Sequence, residues 1–262
     1  MKKLLIGTNT KMTKTISETK QFLTELQELT NPINETEISL FVIPSFTTLV
    51  EARSCITGKS IALGAQNISW GETGQFTGEI SPRMLDEIGI DMVMIGHSER
   101  RHVLKEDDFM VNLKVLNSLK HGFITLLCVG ETKIQKEYGI ADETLRTQIL
   151  IALKDVDPSF AKQLIIAYEP VWAIGEEGIP ATKEYAQEKH LRIKQVLNDR
   201  LGKAVGETVP VLYGGSVNSE NAEDLISMDG IDGLFVGRSA WDALKFSQLI
   251  QKVLPHWKKR NQ

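Results

Sequence analysis

The stretch Ala167-Tyr168-Glu169-Pro170-Val171-Trp172-Ala173-Ile174-Gly175 sets a carboxylate against a proline at the end of an apolar run. Pro170 fixes its own φ and disfavours helical backbone at Glu169, so the acid is held at the mouth of a strand. Apolar residues in a strand-to-helix loop are unusual unless the loop closes over something, and the stretch reads as a general base with a lid attached. Alone, it reads first as a structural glutamate closing a strand. Its partners decide. His97, in Gly96-His97-Ser98-Glu99-Arg100-Arg101, ends another apolar run beside a helix start, where a neutral imidazole is favoured as a hydrogen-bond donor. Lys11 adds a positive charge and Asn9 a neutral donor, while Gly175, Gly214-Gly215-Ser216 and Gly237 offer open backbone N–H groups near helix starts, a cradle for phosphate. The set holds no Ser or Cys nucleophile with an adjacent base and no metal-ligand spacing. A base, electrophilic donors and an anion cradle suit proton abstraction next to a carbonyl, with Lys11, His97 and Asn9 stabilising the enediolate. Such an intermediate eliminates phosphate in water, so the chemistry requires a lid.

These residues need a scaffold that brings distant strand ends together. Short apolar runs at residues 4–7, 39–44, 61–65, 91–96, 124–129, 164–168, 209–213 and 233–236 alternate with helical patterns. Thr15-Ile16-Ser17-Glu18 forms a capping box ahead of Phe22, Leu23, Leu26 and Leu29. Residues 47–56 form a helix. Ser81-Pro82 starts another that Gly89 closes, and the helix over 109–121 turns Leu113, Leu116 and Leu119 inward and stops at Gly122. Thr182 caps a long helix to about Leu201, and an amphipathic helix covers 243–254. Strand–helix alternation permits a doubly wound sheet or a closed barrel. The count of eight, and the lack of a G-x-G-x-x-G turn after the first strand, favour a (β/α)8 barrel in the α/β class, one domain over 1–262. In a barrel the polar strand ends converge on one face.

A net charge of −4 argues against nucleic acid as a partner, and no run approaches the length of a membrane span. Cys55 and Cys128 make no disulfide framework and fit a reducing compartment, with the cytoplasm as default. His102, His121, His190 and His256 read as packing or surface residues, Cys55 as a core filler and Lys258-Lys259-Arg260 as a solvated tail.

Asn9-x-Lys11, Ala65-Gln66-Asn67, Phe76-Thr77-Gly78-Glu79, the His97 segment, Cys128-Val129-Gly130-Glu131-Thr132, the Glu169 segment and Tyr213-Gly214-Gly215-Ser216-Val217 resemble the triosephosphate isomerase family from end to end. The resemblance implies that Glu169 shuttles the proton, His97 polarises the substrate oxygens, and Lys11 and Asn9 stabilise the developing charge. It implies that Glu99 sits beside Lys11 and that Glu131 and Cys128 support the site. The phosphate would rest on N–H groups of Gly175, Ser216, Gly237 and Arg238, with Gly215 beside them. No cofactor or metal is implied. The assembly implied is a homodimer in which the loop 71–79 enters the partner's site, with Thr77 as its contact and Glu79 pairing with Arg100 across the interface.

Three departures from the family pattern stand out. Thr10 replaces a Trp, and Thr8 a Gly, which predicts a looser back wall. The segment Gly175-Glu176-Glu177-Gly178-Ile179-Pro180-Ala181 is one residue longer and acidic. Gly237-Arg238 replaces a Gly-Gly pair, and Arg238 is expected to pair with Glu176 or Glu177 or to reach the phosphate; a solvated guanidinium is the alternative. The complete catalytic set points first to interconversion of dihydroxyacetone phosphate and D-glyceraldehyde 3-phosphate, the reaction shared by glycolysis and gluconeogenesis. The Ile-Pro-Ala and Gly-Arg-Ser-Ala-Trp segments are similar to a branch that interconverts L-erythrulose 1-phosphate and D-erythrulose 4-phosphate. A barrel that binds sugar phosphate without turnover is disfavoured by Glu169. A Schiff-base aldolase is disfavoured because no strand interior carries a Lys.

Overall fold

The computed structural model describes residues 3–33, 36–58, 60–175 and 178–261. Among them, strands β1 (Leu4–Asn9), β2 (Ile38–Ile43), β3 (Ile61–Ala65), β4 (Met92–Ile95), β5 (Ile124–Val129), β6 (Leu164–Tyr168), β7 (Val211–Tyr213) and β8 (Gly233–Val236) close into a barrel in chain order. Every neighbouring pair is parallel, and β1 pairs with β8 to complete the ring. The outer ring contains α1 (Ile16–Thr30), α2 (Leu49–Cys55), α3 (Pro82–Ile88), α4 (Ser98–His102), α5 (Asp108–Lys120), α6 (Lys133–Glu137), α7 (Ala141–Ala152), α8 (Lys183–Leu201), α9 (Lys203–Gly206), α10 (Ala222–Ser227) and α11 (Ala243–Arg260).

The strands read as continuous apolar runs because both of their faces are covered. Alternate residues point inward, where Phe41, Ile43, Met92, Met94, Leu126, Ile165, Leu212 and Phe235 fill the barrel; the others meet the helices. Phe41 and Phe235 stack with centroids 5.7 Å apart. Gly7 makes room for this pair, since a Cβ there would lie 2.3 Å from the Phe41 ring. Side chains cap helices as the sequence predicts: Thr15 and Glu18 form the capping box of α1, Ser81 caps α3, and Thr182 caps α8.

Four expectations are corrected. Leu113 faces solvent, because the inward face of α5 is set by Val111, Val115, Ser118 and Leu119 together with the buried Lys114. β7 begins at Val211, since Pro210 has no N–H to give a ladder; its carbonyl instead accepts from Ile166 N (2.9 Å). α11 runs on past 254, and its last residues are not a solvated tail. Arg260 donates to the carbonyls of Ile226, Met228 and Ile231 at the bottom of β8, and Lys258 pairs with Glu37 (2.5 Å). Helices α6, α7, α9 and α10 have no counterpart in the sequence reading, although Thr132 and Gln135 form a legible capping box for α6.

His190 on α8 is fully buried, its Nδ1–H donating to Gly230 O (3.1 Å) and its ring edge-on to Tyr168. Burial pushes its pKa down from 6.5 to about 4. Between those values the unfolded chain binds a proton that the folded chain refuses, so stability falls as pH drops from 6.5 towards 4 and is unaffected above that window. Denaturant titrations should therefore show the parent chain losing about 2.5 kcal/mol more than a His190→Asn variant between pH 7 and 4.5. Equal losses would remove His190 from the acid response.

Candidate active site

The C-terminal strand ends open into one cavity of about 620 Å³ whose lining includes Asn9, Lys11, His97, Glu99 and Glu169 together with Gly175, Gly214, Gly215, Ser216, Gly237 and Arg238. At the end of β1 the chain turns sharply, with Lys11 in the left-handed region at φ 50°. Three side chains hold that conformation. The Lys11 carbonyl accepts from Ser45 Oγ (2.8 Å) and Gln66 Nε2 (2.7 Å), and Asn9 Oδ1 accepts from Lys11 N (2.7 Å) and Gln66 Nε2 (3.0 Å). Gln66 and Ser45 are thus site residues to which the sequence reading gives no role; the polar residues after β2 and β3 were the available signal. Among the described residues Asn9 Nδ2 meets only the weak acceptor Met94 Sδ (3.8 Å), which leaves it available to a better one. Lys11 Nζ pairs with Glu99 Oε1 (2.6 Å) at the rim, where a half-exposed ion pair positions the ammonium more than it stabilises the fold.

His97 caps α4. Its Nδ1 accepts from Glu99 N (3.2 Å), and a backbone amide can only donate, so the ring is neutral at Nδ1 and carries its proton on Nε2. That Nε2 lies 3.5 Å from Glu169 Oε1. Glu169 is 2 % exposed. Its Oε2 accepts from Ser98 N (3.3 Å), and its own N–H continues the ladder to Val129 O (2.8 Å). A Cβ on Gly130 would lie 1.9 Å from the Glu169 carbonyl oxygen, so only glycine lets β5 pass the base this closely. Cys128 is fully buried; burial first, and the Glu169 carboxylate next, push its thiol well up, so it remains protonated beside the base.

Glu131, also fully buried, supports the segment after the base. Both of its oxygens accept from Tyr168 Oη (3.1 Å), and Oε1 accepts from Trp172 Nε1 (2.8 Å) and Tyr185 Oη (2.9 Å), while its backbone carbonyl accepts from Val171 N (3.0 Å). Burial, and then the Glu131 charge, raise the pKa of both tyrosines, which keeps them donors.

Among the residues expected to hold the phosphate, Gly175 has φ 94° and Arg238 opens a short helical turn at the rim, with an exposed side chain. Glu176 and Glu177, the expected partners of Arg238, lie outside the described residues. The wall behind Asn9 carries Trp241, whose Nε1 donates to Asn9 O (2.9 Å) and ties the last strand–helix loop to the first; Thr8 and Thr10 are fully buried. Thr77, Glu79 and Arg100 do not line the cavity of their own chain. Arg100 is held by Glu106 Oε1 through Nε (2.8 Å) and Nη2 (2.6 Å), rather than by Glu79 of the same chain.

A buried base, a neutral imidazole with its N–H beside that base, an ammonium, an amide donor and facing backbone N–H groups can move a proton between adjacent carbons of a phosphorylated carbonyl compound. Comparison with known proteins agrees with this constellation. Residues 4–253 match the family described as triosephosphate isomerase. The chain is 44% identical over 249 residues to a protein of Rhizobium etli named L-erythrulose-1-phosphate isomerase, covering 95% of this chain and 91% of the relative. Proteins of the same name from Rhizobium meliloti (44% identical, 95% of this chain, 96% of the relative) and Mesorhizobium japonicum (45%, 91% and 92%) are similarly related. An eight-stranded barrel with this set of side chains at its mouth, matched along nearly its whole length, identifies the chain as an isomerase-type enzyme that belongs to the triosephosphate isomerase family.

Proposed function

We propose that the protein interconverts L-erythrulose 1-phosphate and D-erythrulose 4-phosphate. The reading is supported by the 3.5 Å approach of His97 Nε2 to Glu169 Oε1 in a cavity also lined by Gly175, Gly215, Ser216 and Gly237, whose backbone N–H groups suit an anion. The choice of a four-carbon substrate is supported by relatives at 42–45% identity named L-erythrulose-1-phosphate isomerase.

The two ketose phosphates differ only in which of the two central carbons bears the ketone. Glu169 takes the proton from the hydroxyl-bearing central carbon. The electron pair moves to the ketone oxygen, and the enediolate forms between donors from His97 Nε2, Lys11 Nζ and Asn9 Nδ2. A proton moves between the two oxygens, and the proton held by Glu169 returns to the carbon next to the phosphate-bearing methylene. No atom is gained or lost. Gly175, Ser216, Gly237 and the N–H of Arg238 hold the phosphate, with Gly215 in the same wall; Glu99 places Lys11. The neutral state of His97 matters, because an imidazole can both donate and recover its Nε2 proton as charge passes between the oxygens. A glutamate base facing a neutral histidine is the established pairing of triosephosphate isomerase, the enzyme that gives the family its name.

Relative to a triose phosphate, the tetrulose adds one hydroxymethyl group on the end away from the phosphate. The triose reaction is the second reading, supported by the untouched set Asn9, Lys11, His97 and Glu169. Parallel steady-state assays separate the two: the reading expects kcat/KM for L-erythrulose 1-phosphate to exceed that for dihydroxyacetone phosphate by at least about tenfold, a difference on the order of 1.4 kcal/mol in transition-state binding. The reverse order would return the assignment to the triose.

The reading includes one barrel domain over 1–262, a cytoplasmic setting, suggested by two unbridged cysteines, and a homodimer. The dimer is supported by the projecting segment 71–79. Its Phe76 is 41 % exposed despite packing edge-on to Trp70, its tip Thr77 is exposed, and Glu79 Oε2 is buried without a partner among the described residues. No helix among the described residues is long and apolar enough to cross a membrane.

A further inference from the structure

Trp172 lies three residues after the base and three before Gly175, and three groups outside the cavity hold its ring. Glu131 takes its N–H (2.8 Å), Tyr185 meets it edge to face (centroids 5.6 Å apart), and Lys136 Nζ sits 3.3 Å above its centroid. The same ammonium is 4.7 Å from the Tyr185 centroid. Each ring thus gives its polar hydrogen to the buried carboxylate of Glu131 and its face to the ammonium of Lys136. A single N–H···O bond leaves an indole free to swing about that bond. A cation on the face removes the swing, and an aromatic ring polarised by a carboxylate at its edge is a better cation partner than an isolated one.

We propose that Lys136 is a positioning residue for the phosphate side of the cavity. Its ammonium fixes the plane of Trp172 and so the backbone of 171–175, which carries the Gly175 amide towards the anion. Other charges near these rings are occupied elsewhere: Lys189, 5.0 Å from the Tyr185 centroid, is paired with Asp142 and Glu188, and the ion pair along α6 uses Lys133 and Glu137. Lys136 is an exposed residue of a five-residue helix, so its side chain can be changed without opening the core. The inference rests on reading the Gly175 side of the cavity as the anion cradle.

The test compares Lys136→Met, Lys136→Gln and Lys136→Arg with the parent chain. Measured quantities are the dissociation constant of inorganic phosphate, kcat and KM for L-erythrulose 1-phosphate, thermal midpoints, and the ¹⁹F resonance of Trp172 in 5-fluorotryptophan-labelled protein, assigned with Trp172→Phe. The Met and Gln variants should bind phosphate about three- to tenfold more weakly and raise KM alike, the range a cation on an aromatic face supports. Their kcat should change less than about twofold, with the thermal midpoint unmoved and the Trp172 resonance shifted. Arg should restore phosphate binding and the resonance. Unchanged phosphate binding in both neutral variants, or the same loss in Arg as in Met, overturns the proposal. A parent chain that binds phosphate and responds in this way but turns over no ketose phosphate would defeat the isomerase reading and leave the role of Lys136 standing.

Discussion

Replacing Glu169 with Gln is expected to lower kcat by about a thousandfold while leaving the inhibition constant of inorganic phosphate within about twofold. The amide keeps the size of the carboxylate and can still accept from Ser98 N (3.3 Å), so the strand end and the cavity survive. What it loses is the ability to take a proton, and positioned general bases contribute on the order of a hundred- to ten-thousandfold. The groups proposed to hold the anion, at Gly175, Ser216, Gly237 and Arg238, line the same cavity and share no described hydrogen bond with the Glu169 side chain, which accepts from Ser98 N. Steady-state kinetics with phosphate as competitor read both quantities at once. A variant that kept more than about a tenth of the parent kcat would show that another group takes the proton.

The largest stability effect is expected away from the substrate, at Glu106→Gln. Lys114 is fully buried on α5, and its ammonium reaches Glu106 Oε1 by a short ion pair and Asn67 Oδ1 at 3.0 Å. Burial pushes the Lys114 pKa down and that of Glu106 up. For Glu106, hydrogen bonds from Arg100 and Lys114 outweigh burial, and its carboxyl is held below the ordinary range. Removing the negative charge strands an ammonium in the core and releases Arg100, which should cost about 3–5 kcal/mol in denaturant titrations. Adding Lys114→Met to Glu106→Gln should recover much of that loss, because the double variant no longer buries an unpaired charge. Strictly additive losses would contradict the pairing. The carboxylate's stabilisation is present above its ordinary pKa and is lost as pH falls through the lower folded value, so the variant should also be less sensitive to acid. Arg100 lies in α4, whose cap is His97, so kcat is expected to fall as well.

Much of this was legible in the chain before any coordinates. Pro170 places Glu169, Gly96 and the polar residues after it place His97, and eight apolar runs of near-constant polarity announce strands covered on both faces. Burial hidden behind polar letters was not legible. Lys114 breaks the apolar pattern of α5 yet faces inward because Glu106 waits for it, so spacing alone turns Leu113 the wrong way. Arg260 and Lys258 read as solvated because nothing local says that open carbonyls and Glu37 lie within reach. Gln66 and Ser45 could not be assigned because their task is to brace the left-handed turn at Lys11, a conformation no residue type there announces. The substrate was the hardest to read. Triose and tetrulose phosphates share the phosphate and the enediolate, so Asn9, Lys11, His97 and Glu169 are the same for both, and only 179–181 and 237–241 pointed to the longer sugar. The names of the relatives favour that pointer over the triose.

The most direct test is isomerisation in deuterium oxide followed by ¹H NMR. With L-erythrulose 1-phosphate, the parent chain is predicted to form D-erythrulose 4-phosphate carrying deuterium on the carbon next to the phosphate-bearing methylene, and Glu169→Gln to form almost none. Neither isomerisation nor exchange with the parent chain, or exchange that continues undiminished in the variant, would contradict a mechanism in which Glu169 carries the proton between the two central carbons.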